Sequence, residues 1–327
     1  MAGPYDPEWT AFEKSMGPPP VLPEDIESRV EIFNEMLVQF QKLLPPTDPG
    51  IQTRDEKINP NVTVRIYTPP STSAPPSPPL PLILFIHGGG YHAGNLSTED
   101  HLCRHMCSHT PSIVVSVDYR LCLTHKFPTP IEDCYAAYKW AYANAASLGA
   151  DPQKCLVAGG SAGGGAAIAV VYRLVRRGED VAGLVAISPM SLHPDVVPVA
   201  YRAQHTAYVE NGGAIPVVNA QDAMAAFAML SEEGCAPAYA NGEWFPQTRG
   251  AEAFKGFPRT WVFNTDLECF RDDGGVLELE VRDAGGVVRR EVMEGWPHYF
   301  WCFPVGGGGD EFRRRLVGGL RWVIGGD

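Results

Sequence analysis

None of the apolar stretches of this 327-residue sequence approaches the ~18 residues that a membrane-spanning helix needs. The N-terminus, Met1-Ala2-Gly3-Pro4-Tyr5-Asp6-Pro7-Glu8, lacks both the basic and the apolar regions of a secretory signal. Positive charge is scarce: 26 Lys+Arg stand against 38 Asp+Glu, a net charge of −12. With no basic patch interleaved with aromatics, this argues against nucleic acid and against stable membrane association. The eight cysteines (103, 107, 122, 134, 155, 235, 269 and 302) are scattered. Cys103 and Cys107 stand at helical i, i+4 spacing beside His101, His105 and His109, but no second ligand group closes a zinc site. That segment reads as a helix partly buried and partly solvated, and no metal is expected. No Gly-x-Gly-x-x-Gly opens a first βαβ unit, and Gly306–Gly309 read as a flexible turn, so no cofactor is expected. These absences predict a cytoplasmic protein with reduced thiols, a monomer or homodimer acting on a small molecule.

What the chain does have is two glycine clusters, His87-Gly88-Gly89-Gly90 and Gly159-Gly160-Ser161-Ala162-Gly163-Gly164, each after a short apolar run. The second leads into a small, apolar, helical stretch from Ala162 to Val175. A strand, a Gly-x-Ser-x-Gly turn and a helix form a nucleophile elbow, where a side chain at Gly159 or Gly163 would collide with neighbouring backbone. The serine then sits at a sharp apex over a helix N-terminus. The HGGG run supplies backbone N–H groups that no side chain blocks, suited to an oxyanion.

Around these clusters lie Val117-Asp118-Tyr119-Arg120, Phe127-Pro128, Glu132-Asp133, the run from Trp140 to Asp151-Pro152, and the closing Gly295-Trp296-Pro297-His298-Tyr299-Phe300. Together they resemble the hormone-sensitive-lipase-like family of α/β-hydrolase serine esterases from about Val64 to the C-terminus. The resemblance weakens before about Pro60 and between Ser191 and Gly256. It implies an α/β-hydrolase fold with a helical cap, no cofactor and an ester substrate. Two departures stand out. The residue before the nucleophile is usually aspartate in this family, and here it is Gly160. The family's Ala-Pro-Glu-His is Cys122-Leu123-Thr124-His125 here, so an acid is lost.

Strand and helix patterns alternate along the core. Strands are predicted at 62–67, 82–86, 113–117, 154–158, 183–188, 259–264 and 287–293. Helices are predicted at about 97–109, 130–148, 162–177, 272–284 and 310–324. This implies a mostly parallel central sheet with helices on both faces, and ligands beyond the carboxyl ends of the strands. Glu24 to Leu44 carries a wide apolar helical stripe, ended by Pro45-Pro46. Pro69 to Pro81 holds seven prolines and reads as a solvent loop between edge strands. The alternation fails between Ser188 and Gly256; Ala220 to Leu230 reads as pocket wall or plain core helix. The resemblance divides the chain into an N-terminal cap segment (1–60), a core (61–190 and 257–327) and a second cap insertion (191–256).

A serine hydroxyl needs a general base, and the base needs a carboxylate. In this fold the order is serine, acid, histidine. His193, His205 and His298 follow Ser161, and only His298 lies after the last predicted strand, within the family's His-x-Phe pattern. Anchoring the family's acid motif on Arg271-Asp272-Asp273-Gly274 puts Glu268 at the acid position, with Asp266 as the alternative. Gly89, Gly90 and Ala162 are the expected oxyanion donors. His87 is expected to orient the HGGG loop, and His125 to pack and hydrogen-bond near the rim of the site; no substrate contact is assigned to His92. The resemblance implies a serine carboxylesterase for soluble short-chain or hydrophobic small-molecule esters, such as acylated secondary metabolites. A lyase or cyclase that keeps the triad is the alternative. A receptor on the same fold ranks lower, because Ser161 and His298 are both present.

Overall fold

The computed structural model describes residues 4–17, 23–70, 78–213 and 216–325. Its centre is an eight-stranded sheet: β1 Gln52–Asn59, β2 Val62–Thr68, β3 Leu80–Ile86, β4 Ile113–Asp118, β5 Ala150–Gly160, β6 Gly183–Ile187, β7 Arg259–Leu267 and β8 Val288–Pro297. The spatial order is β1-β2-β4-β3-β5-β6-β7-β8. Only the β1–β2 and β2–β4 pairs are antiparallel; the rest are parallel. The helices are α1 Pro7–Met16, α2 Ile26–Gln41, α3 Asp100–His109, α4 Thr129–Leu148, α5 Ala162–Arg176, α6 Ala207–Glu210, α7 Ala220–Ala228, α8 Arg271–Asp283 and α9 Gly306–Ile324.

Strand side chains alternate between faces, so each interior strand feeds two cores. In β3, Leu82, Leu84 and Ile86 join the core under α4, α5 and α8. Ile83 and Phe85 join the opposite core, with Trp9 of α1, Leu102 and Met106 of α3 and Phe312 of α9. Continuous apolar runs such as Leu82–Ile86 are what a strand buried on both faces requires.

Two readings change, and two elements are new. Gly306–Gly309 are not a flexible turn; they form the first turn of α9. The Glu8 carboxylate accepts the N–H groups of Gly307 (2.8 Å) and Gly308 (2.9 Å), supplying the cap that the local sequence lacks. Gly308 also packs on Trp296, where a Cβ would come within 2.1 Å of the ring. The proline-rich segment does not connect edge strands: β2 and β3 are both interior, and β3 begins at Leu80, inside the predicted loop. Residues 71–77 of the predicted loop lie outside the described residues. Finally, α1 and β1 are elements the hydrophobic pattern did not signal. Helix α1 starts from an Asp6 N-cap with Pro7 behind it and buries Trp9. Strand β1 is mostly exposed, so it carries little apolar pattern, and the sheet therefore begins inside the 1–60 segment.

Among the described residues, 191–256 hold α6, α7 and short 3₁₀ turns. Adjacent aspartates at the start of α8 fasten this insertion. Asp272 accepts the N–H groups of Thr206 and Ala207, both at 2.7 Å. Asp273 accepts those of Ser191 and Leu192, both at 3.0 Å, and lies 2.8 Å from Nε2 of His205.

Candidate active site

The functional side chains gather at the carboxyl ends of β3, β5, β7 and β8. Ser161 ends β5 in a positive-φ conformation (φ 56°, ψ −123°) and opens α5. This backbone is strained for a non-glycine residue, and the glycines on either side of it are tightly packed. A Cβ at Gly159 would come within 2.2 Å of the Gly163 carbonyl oxygen, and one at Gly163 within 2.0 Å of the Ile86 carbonyl oxygen. The expected collisions at these two glycines are therefore present.

Ser161 Oγ lies 2.8 Å from His298 Nε2, and His298 Nδ1 lies 2.6 Å from Glu268 Oε2. Ser161, Glu268 and His298 are all buried. The second oxygen of Glu268 accepts the Asn264 amide (2.9 Å) and the Thr265 N–H (3.0 Å), which fixes the carboxyl for its histidine. Asp266 points elsewhere: it accepts the Gly295 N–H at 2.7 Å and ties the end of β7 to β8. The geometry thus unites Ser161, His298 and Glu268 and leaves Asp266 out of the line. His193 and His205 lie in the insertion, as expected, and His205 is engaged with Asp273.

Gly89 (φ 114°) and Gly90 (φ 61°) occupy conformations that favour glycine. Among the described residues, neither of their N–H groups has an acceptor. The Ala162 N–H, at the first position of α5, has no side-chain cap and points out of the helix end. His87 is buried, stacks on Tyr119 at 4.3 Å and bonds through Nδ1 to the Gly88 carbonyl. Burial pushes its pKa down to about 4, so it is neutral and structural. His92 lines the cavity, with Nδ1 on the Gly90 carbonyl at 3.0 Å. His125 departs from expectation: it is exposed, and its ring meets the hydroxyl of its neighbour Thr124. Arg120 and Asp133, seen in the sequence only as motif members, form a bidentate pair (2.8 Å for each bond) that pins the loop after β4 to α4.

Sequence reasoning missed Glu99. It stands at the N-cap of α3 but does not cap its own helix. Its carboxyl turns inward and accepts the Gly88 N–H at 2.8 Å. Burial pushes it up to about 7, against the pull of Gly88, Tyr299 and Trp301. The weak signal for it was Gly160, whose missing side chain leaves room for an acid from another element.

Above Ser161 lies a cavity of about 340 Å³, with Phe33, Met190, Val217, Ala226, Met229 and Phe270 in its largely apolar wall. Helix α2 and the insertion both contribute to it.

A family model described as alpha/beta hydrolase fold matches residues 83–302. The chain belongs to the α/β-hydrolase family. Within it, the relatives place this hydrolase in the hormone-sensitive-lipase-like branch and among the carboxylic ester hydrolases. The hydrolase is 29% identical to versiconal hemiacetal acetate esterase of Dothistroma septosporum over 99% of this chain and 96% of that one. It is 33% identical to carboxylesterase NlhH of Mycobacterium tuberculosis over 69% of this chain and 67% of that protein. The solved esterase of Pyrobaculum calidifontis superposes with a TM-score of 0.82 at 26% identity, covering 98% of this chain and 99% of the other.

Proposed function

We propose that this hydrolase is a serine carboxylesterase that cleaves hydrophobic small-molecule esters through an acyl-enzyme. The observation that carries the reading is the unbroken line Ser161–His298–Glu268 at the floor of an apolar cavity. In this reading Ser161 Oγ attacks the ester carbonyl and His298 takes its proton. Glu268 holds the imidazole with Nε2 toward the serine and stabilises the imidazolium. The N–H groups of Gly89, Gly90 and Ala162 receive the negative oxygen of the tetrahedral intermediate. His298 then gives its proton to the departing alcohol. Water, deprotonated by the same ring, releases the acid.

The walls of the cavity point to the substrate class. In this reading the 1–60 segment, through α2, and the 191–256 insertion act as caps that enclose a mostly apolar group. A preference for monomeric esters over lipid aggregates follows, because a pocket built by packed helices holds one molecule. Similarity to a versiconal hemiacetal acetate esterase supports a place in secondary metabolism, on acylated metabolites. Hydrolysis of a p-nitrophenyl acyl series, with a serine-directed phosphonate and peptide mapping of the label, tests the reading. Saturable hydrolysis and a label on Ser161 are expected. A chain that neither hydrolyses any member nor takes up the label at Ser161 would refute it.

A further inference from the structure

Glu99 is buried, charged in its ionised form and outside the proposed triad, so its placement calls for a physical reason. Three pieces of the site meet at its carboxyl. From the oxyanion loop, Gly88 donates its N–H to Oε2 at 2.8 Å. From the nucleophile strand, Gly160 presents a bare Cα, and a methyl group there would stand 3.4 Å from Oε1. From the histidine loop come the rings of Tyr299, against Gly88, and Trp301, beside Gly160, and the Cys302 thiol at 4.0 Å from Oε1. Gly88 itself is confined on its other sides. A Cβ on it would lie 2.8 Å from the Tyr299 ring and 3.0 Å from the Gly160 carbonyl oxygen.

The direction of the Gly89 and Gly90 N–H groups depends on the peptide just before them. Donors to a developing oxyanion are effective only when already aimed at where the charge appears, and a shift of about 1 Å costs on the order of 10²-fold in rate. We propose that Glu99 is a positioning residue, clamping the Gly88–Gly90 backbone between the nucleophile strand and the histidine loop so that the oxyanion donors are held in place. The proposal rests on the serine esterase reading above. It assigns to α3 a part in catalysis, although Glu99 touches no reacting atom.

The test compares three variants on a soluble p-nitrophenyl ester, each also titrated with a trifluoromethyl ketone. That ketone adds reversibly to the serine hydroxyl and places an oxyanion in the same donors. Glu99→Met keeps the length of the side chain and removes the acceptor. The expected result is a fall in kcat of about 10- to 100-fold with KM within about threefold. The ketone should weaken by the same factor as kcat/KM, because both report oxyanion binding. Glu99→Gln, whose amide oxygen still accepts the Gly88 N–H, should recover to within about fivefold of the parent. Should Glu99→Met not fold, Glu99→Asp withdraws the carboxyl by one methylene and carries the same expectation. A folded Glu99→Met or Glu99→Asp with unchanged kcat, or with reduced kcat but unweakened ketone, would overturn the proposal. A parent enzyme that binds no ketone and hydrolyses no ester fails the esterase reading instead, so the two failures are told apart.

Discussion

Oε2 of Glu268 stands 2.6 Å from Nδ1 of His298, while Asp266, two residues earlier, accepts the N–H of Gly295. Two carboxylates of one short segment therefore have different partners. Glu268→Gln should lower kcat by several orders of magnitude, since an amide cannot stabilise the imidazolium and favours the wrong tautomer. Asp266→Asn should leave kcat within about tenfold and act mainly on stability, because it loosens one β7–β8 tie. Steady-state kinetics of the two purified variants decide the matter. A crippled Asp266→Asn beside a mild Glu268→Gln would reverse the assignment.

Ser161→Ala removes the proposed nucleophile and leaves a residue that fits the elbow at least as easily. Ester hydrolysis should drop by about 10⁴-fold or more, with the circular dichroism spectrum and melting temperature close to those of the parent. Retention of activity at the parental level would eliminate the acyl-enzyme mechanism.

The cavity walls predict a rate order. A dissolved p-nitrophenyl butyrate should be hydrolysed faster than a triolein emulsion, without a jump in rate at the substrate's solubility limit. Interfacial activation, measured as a rise in rate when droplets form, would contradict a pocket walled by α2 and the insertion.

The tether of the insertion titrates. Burial opposes charge on His205, but the hydrogen bond and negative charge of Asp273 outweigh it and hold the imidazole above its ordinary pKa. A base whose pKa is higher in the folded chain stabilises fully below its unfolded value and loses that contribution as pH rises through the folded value. The melting temperature should therefore decline from about pH 6.5 upward. His205→Gln should lack that step and be less stable below it, by about 3 kcal/mol, because a buried carboxylate loses its partner. Melting curves of both chains between pH 6 and 9 are the check; parallel pH dependence would exclude His205 as the titrating group.

Much of this protein could be read from its sequence. Continuous apolar runs such as Leu82–Ile86 marked strands buried on both faces, and the glycines around Ser161 marked a turn that tolerates no side chain. These signals are local: burial sets the periodicity of a strand, and backbone crowding sets the choice of glycine. The order of serine, acid and histidine followed from the fold that the motifs implied. Other features rest on contacts between distant residues. Gly306–Gly309 are helical because Glu8, near the other end of the chain, caps them. The exposed strand β1 exists because β2 offers it a pairing edge, which no hydrophobic pattern records. Glu99 reaches Gly88 across eleven residues of chain, with the bare Cα of Gly160 beside its other oxygen. The sequence by itself determined which residues could do the chemistry and which segments had to be buried. The tertiary structure decided which carboxylate faces His298, which one takes the N–H of Gly88 and which pair holds the insertion, because a hydrogen bond depends on where a side chain ends, and that place is set by packing.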